Sequence, residues 1–149
     1  MRLVKACCLL VCLLLVACDS SLFPEYWLCN GLSTQVFTAN DQAYGKKYGG
    51  QEKLLLELYK NTVNQYTSKA FTGVYYQCES KDSSIVFQNY ACTQSSSDPA
   101  RWSRTGSLDK RSGMLSIQES RVIQSGRIKG EGSFSCQYLG RHFSSEVFY

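Results

Sequence analysis

The chain has 149 residues, with 16 Lys and Arg against 12 Asp and Glu, for a formal net charge of +4. That bias is too small to make nucleic acid the partner, and the length suits one domain rather than two. Cysteine, with eight residues in all, is the most informative count, and its meaning depends on which of them stay with the exported domain.

The N-terminus has three parts. Arg2 and Lys5 are its only charges before Asp19, an apolar run follows from Leu9 to Val16, and Ala17-Cys18 precedes the polar Asp19-Ser20-Ser21. A basic start, a short apolar core and a small residue before the cut mark an export signal. A membrane-spanning helix would need about 20 apolar residues.

Leu15-Val16-Ala17-Cys18 resembles the lipobox of bacterial lipoproteins: an aliphatic residue, a permissive position, a small residue, then an obligatory cysteine. The resemblance implies removal of residues 1–17, a diacylglyceryl group on the Cys18 thiol and acylation of the new amine. Three acyl chains at ~0.8 kcal/mol per buried CH₂ make such an anchor effectively permanent. Residues 18–25 then form a lipidated tether and 26–149 a single domain. In enterobacterial lipoproteins an Asp at the position of Asp19 tends to retain the protein in the inner membrane. The expected location is therefore the cell envelope, facing the periplasm, with the inner membrane favoured over the outer.

Without the signal the charge falls to about +2, but it is unevenly spread. Residues 101–141 carry Arg101, Arg104, Lys110, Arg111, Arg121, Arg127, Lys129 and Arg141 against Asp109, Glu119 and Glu131. Such a run reads first as a solvated strand face and second as a surface for anionic lipid or an acidic partner.

Along the mature chain, Tyr26 to Cys29 and Ser33 to Thr38 are short strands on either side of Gly31. Ala39 to Tyr48 reads as an irregular loop. Gly49-Gly50 then precedes a segment in which Leu55, Leu58, Thr62 and Tyr66 lie three or four apart, which predicts one helix over about 51–66 with Lys60 within reach of Glu57. Phe71 to Cys78 and Ile85 to Cys92 are aromatic and β-branched strands joined by polar residues 79–84. Arg101 to Leu108 and Met114 to Glu119 flank Asp109-Lys110-Arg111-Ser112-Gly113, a good turn segment. The clearest strand runs from Arg127 to Tyr138. Ile128, Gly130, Gly132, Phe134, Cys136 and Tyr138 share its buried face, and the polar Arg127, Lys129, Glu131, Ser133, Ser135 and Gln137 share the other. Leu139-Gly140-Arg141 would turn it into a last strand, His142 to Tyr149. The expected fold is mainly β with a minor helical part: an antiparallel meander or barrel-like domain of seven or eight strands.

Four cysteines remain after Cys18: Cys29, Cys78, Cys92 and Cys136. An even number in an exported domain reads as two disulfides. Zinc is disfavoured, because no C-x₂-C pair exists and His142 is the only histidine. Each cysteine follows an aromatic residue by two positions, which in a strand puts ring and thiol on one face. If 71–78 and 85–92 pair as a hairpin closed by residues 79–84, Cys78 lies opposite Ile85 and far from Cys92. That register excludes Cys78–Cys92 and favours Cys29–Cys78 with Cys92–Cys136, the pairing that joins elements closer in sequence.

Catalytic machinery leaves no constellation here. No G-x-S-x-G turn supports a serine nucleophile, His142 has no partner fixed by sequence, and the glycines form no phosphate loop. No cofactor or metal is implied. Bacterial lipocalins are themselves lipoproteins, but the G-x-W of their first strand is absent, so Tyr26-Trp27-Leu28 carries nothing over. Ser125-Gly126-Arg127 resembles part of the inhibitory loop of small periplasmic lysozyme inhibitors, with Lys129 standing where an aromatic residue should follow. The expected function is a non-catalytic, membrane-anchored module that binds a protein, of inhibitor, immunity, exclusion or envelope-accessory type. The alternative is a lipocalin-like carrier or sensor of an apolar small molecule.

Overall fold

The computed structural model describes residues 23–39, 42–43, 48–68, 70–81, 83–92, 102–143 and 148, with backbone alone at 42, 43 and 48. Its strands are β1 (Glu25–Ala39), β2 (Gln42–Ala43), β3 (Tyr48–Tyr59), β4 (Thr62–Thr67), β5 (Ala70–Lys81), β6 (Ser84–Gln88), β7 (Trp102–Asp109), β8 (Met114–Ile123) and β9 (Gly126–Gly140). Consecutive strands from β3 to β9 pair antiparallel, and β1 pairs with both β3 and β9. The result is a closed eight-stranded antiparallel barrel, with β2 a two-residue appendage on the end of β1. Closure leaves no long free edge for another chain to pair with.

An eight-stranded barrel has an interior just wide enough for side chains to fill, and the described inward side chains pack there into one core. Trp27, Leu54, Leu56, Leu58, Val63, Tyr75, Ile85, Phe87, Leu108, Leu115, Ile117 and Phe134 form one buried cluster with Cys29. Each large side chain in it contributes roughly 1.5–3 kcal/mol through burial. Two glycines make room for the rings. A Cβ at Gly106 would lie 2.2 Å from the Phe87 ring, and one at Gly132 would lie 2.5 Å from the Phe134 ring.

β9 follows its sequence pattern. Its even-numbered residues point inward as far as Cys136, and the odd ones are exposed. Residues 25–39 form one long strand across Gly31, and residues 42–43 within the expected loop pair with β1.

The helix expected over 51–66 is instead the β3–β4 hairpin. Leu54, Leu56 and Leu58 alternate into the barrel. Leu55 points outward yet is only 1% exposed, so burial of both faces erased the two-residue period and let a helical spacing stand out. The turn falls at Tyr59-Lys60-Asn61-Thr62, where Lys60 adopts a positive φ of 53° and its ammonium lies over the Tyr59 ring. Glu57 faces out and accepts hydrogen bonds from Tyr26 Oη (3.2 Å), Asn64 Nδ2 (3.0 Å) and Tyr66 Oη (2.8 Å), tying β1, β3 and β4 together.

Both disulfides form, with the opposite pairing to that expected: Cys29–Cys136 and Cys78–Cys92. Cys29 and Cys136 are direct neighbours across β1 and β9, so the bond joins the first and last strands of the barrel. For the other pair the assumed hairpin register was wrong. β5 and β6 turn at residues 81–84, which sets Ile85 opposite Ser80 rather than Cys78. Cys78 sits in a bulge between Gln77 and Glu79. β6 ends at Gln88, and the bend after it brings Cys92 back to a Cα separation of 5.2 Å. The pairing of each thiol with a buried ring therefore holds for Trp27–Cys29 and Phe134–Cys136. Tyr76 is 53% exposed and Cys92 lies outside any strand.

The expected final strand is absent from 141–143, which follow Gly140 at φ 98° without regular structure; residues 144–147 and 149 lie outside the described part. Phe143 meets the Tyr26 ring at 5.6 Å, and Phe148, buried, lies under Lys53 Nζ at 5.4 Å. The chain after β9 thus contributes rings to the outer surface of β1 and β3.

Candidate functional site: the polar mouth and the groove over β7 to β9

The barrel has two unlike ends. At the end where Phe23 enters, Lys110 Nζ pairs with Glu25 at 2.7 Å, the Lys110 backbone amide donates to the Ser83 carbonyl, and Phe23 packs on His142 at 5.6 Å. The turns carrying Lys60 and Lys110 border a hollow of about 230 Å³ there together with Phe23. His142 is exposed. Beside this end, Asp109 accepts the backbone amides of Arg111 and Ser112, and these hydrogen bonds hold its carboxyl below the ordinary carboxylate range.

At the other end the inward positions turn polar. Trp102, Arg104, Gly106 and Leu108 share the inner face of β7, while Leu115, Ile117, Glu119 and Arg121 share that of β8, with Arg104 directly opposite Glu119. Arg104 Nη1 meets Glu119 Oε2 at 2.9 Å, and its Nη2 donates to Gln65 Oε1 at 3.3 Å. Trp102 Nε1 donates to Glu119 Oε1 at 3.0 Å, and Arg121 approaches the same oxygen at 3.6 Å. Ser33 donates to Glu52 nearby. Burial pushes the Tyr75 phenol above its ordinary range, opposed by Arg104 and reinforced by Glu119. The cavity among these groups measures about 40 Å³, room for a few waters.

Outside the same end, a groove of about 430 Å³ crosses β7, β8 and β9. Ser103 and Thr105 of β7, Gln118 and Ser120 of β8, and Arg127 and Lys129 of β9 line it, with Tyr90 at one side. The register aligns Ser103, Ser120 and Lys129 in one row and Thr105, Gln118 and Glu131 in the next. Asn89 fixes the position of Tyr90: its backbone amide donates to the Arg104 carbonyl, and its side chain both accepts from the Arg104 amide and donates to the Trp102 carbonyl.

Sequence reasoning singled out Cys18 and the four disulfide cysteines. Cys18 lies outside the described residues, as do the Asp19–Leu22 part of the tether and the signal segment. The basic run of 101–141 does not form one face: Arg104 points inward, Arg127 and Lys129 outward, and Lys110 and Arg111 sit at the opposite end. Arg104 and Glu119 were missed as a pair. Part of the signal was there, since Arg104 is the one charged residue in the inward series Trp102, Arg104, Gly106 and Leu108, and Glu119 follows the apolar Leu115 and Ile117 on the inward face of β8. Among the described residues, no group of three His, Cys, Asp or Glu is disposed as metal ligands. No family model, curated protein or solved structure matches the chain.

Proposed function

We propose that the protein is a lipoprotein anchored through Cys18, facing the periplasm, whose barrel is a non-catalytic module for binding a protein partner. The observation that carries the reading is the filled interior. A small-molecule site usually needs about 300–1,000 Å³, and the polar cavity at the mouth offers about 40 Å³. Rings and aliphatic side chains occupy the rest of the described core. A carrier of an apolar molecule would need a space several times larger and less polar than this one among the described residues, which favours recognition at the outer surface. Inhibitor, immunity, exclusion and envelope-accessory proteins all work through such a surface.

The anchoring part rests on the lipobox resemblance. Four residues lie between Cys18 and Phe23, so the two are at most about 18 Å apart. A tether that short would hold the Phe23 end beside the bilayer and turn the groove end away from it. Cys18→Ser should abolish incorporation of labelled fatty acid and leave an uncleaved or soluble product. Undiminished labelling in that variant would sink the anchor. Crosslinking in living cells, followed by mass spectrometry, tests the binding part. A specific protein adduct supports the proposal, whereas bound lipid without a protein adduct would restore the carrier reading.

A further inference from the structure

We infer that the groove over β7, β8 and β9 receives an acidic, extended segment of the partner protein; this rests on the protein-binding reading above. Three observations point to that chemistry. Arg127 and Lys129 are exposed on the groove side of β9, and neither makes an ion pair among the described residues. Arg104, Lys110 and Arg121, by contrast, all have carboxylate partners. Of the two described acids beside the groove, Glu119 is committed to Arg104 and Trp102, which leaves Glu131 against two cations that have no carboxylate partner among the described residues.

The second observation is hydrogen-bonding capacity. The side chains of Ser103, Thr105, Gln118 and Ser120 make no hydrogen bond to other described residues, although they stand in aligned rows on adjacent strands. Such an array offers donors and acceptors to the backbone of a strand-like segment, while Arg127 and Lys129 take its carboxylates. The third is the rim, where Val122, opposite Arg127, is 39% exposed. An apolar spot beside polar and cationic positions matches the mixed character of protein interfaces. On the anchoring reading the groove also lies at the end away from the bilayer, so a lipid surface is not its occupant.

The test uses the full chain in detergent and a fluorescent decapeptide of alternating Glu and Ser, read by anisotropy. Saturable binding that weakens with added salt is expected. Arg127→Gln combined with Lys129→Gln should weaken it at least tenfold, and Lys60→Gln with Lys81→Gln, at the opposite end, should leave it within twofold. All four side chains are exposed, so the variants should keep the near-ultraviolet circular dichroism of the parent. Equal binding of an alternating Gln and Ser peptide, insensitivity to the groove substitutions, or tighter binding of an acidic oligosaccharide would each overturn the inference. Fatty-acid labelling at Cys18 plays no part in this assay, so failure of the anchor and failure of the groove are read separately.

Discussion

The two halves of the barrel are made of the same alternating strands and are filled with opposite chemistry. Toward Phe23, the inward residues are Trp27, Leu58, Val63, Ile85, Leu108 and Leu115. Toward the β8–β9 turn they become Gln65, Arg104 and Glu119, held to one another by hydrogen bonds. The first half supplies stability through dehydrated area, which is non-directional. The second half gains little net stability, because the charges lose hydration as they pair. What it gains is a fixed geometry beneath the exposed groove, since the strands that carry Arg104 and Glu119 also carry Ser103, Thr105, Gln118 and Ser120.

That contrast can be broken by substitution. The largest effect is expected for Cys29→Ala with Cys136→Ala. Their bond spans 107 residues and stitches the barrel seam in its apolar half, so removal should cost about 4–5 kcal/mol in the chain-entropy model. Cys78→Ala with Cys92→Ala opens a span of 14 residues and should cost about 3 kcal/mol. Urea unfolding followed by near-ultraviolet circular dichroism gives both values. Equal losses would mean that the seam has no special weight.

Phe134→Ala removes a ring that is 2% exposed and packs over Gly132, and should cost about 3–5 kcal/mol in the same assay. In the polar half, Glu119→Ala strands Arg104 without its carboxylate and should cost about 2–4 kcal/mol. Arg104→Met with Glu119→Leu should recover most of that loss, because no charge is then left buried. A double variant no more stable than Glu119→Ala alone would show that the polar half contributes directly to stability.

The smallest effect concerns Asp109, at the opposite end from the groove. Its folded pKa lies below the ordinary 3.8 because the Arg111 and Ser112 amides bind the charged form. The stabilisation is therefore present above 3.8 and is lost as pH falls through the lowered folded value. Carboxyl carbon shifts followed by NMR should show an Asp109 midpoint below 3.8. A midpoint at or above it would mean that the turn does not hold its carboxylate.

Legibility in the sequence follows from how local each determinant is. β9 could be read directly because one face is dry and the other wet, so the two-residue period is unbroken from Ile128 to Gln137. β3 could not, because Leu55 is covered on the outside while Leu54 and Leu56 are covered within, and a strand buried on both faces has no alternation to show. The β5–β6 register failed for a different reason. A bulge at Cys78 shifts the inward set from Tyr75 and Gln77 to Ser80, and one extra residue of that kind leaves no mark in composition.

Strand faces and the number of paired cysteines were thus set within short stretches of chain, where a side chain's partners are the solvent and its neighbours two positions away. Closure of β1 on β9, the meeting of Cys29 with Cys136 across 107 residues and the opposition of Arg104 to Glu119 were decided only by the fold. These contacts depend on the summed register of every intervening strand pair, and a shift of one residue anywhere along that path would place different side chains opposite each other.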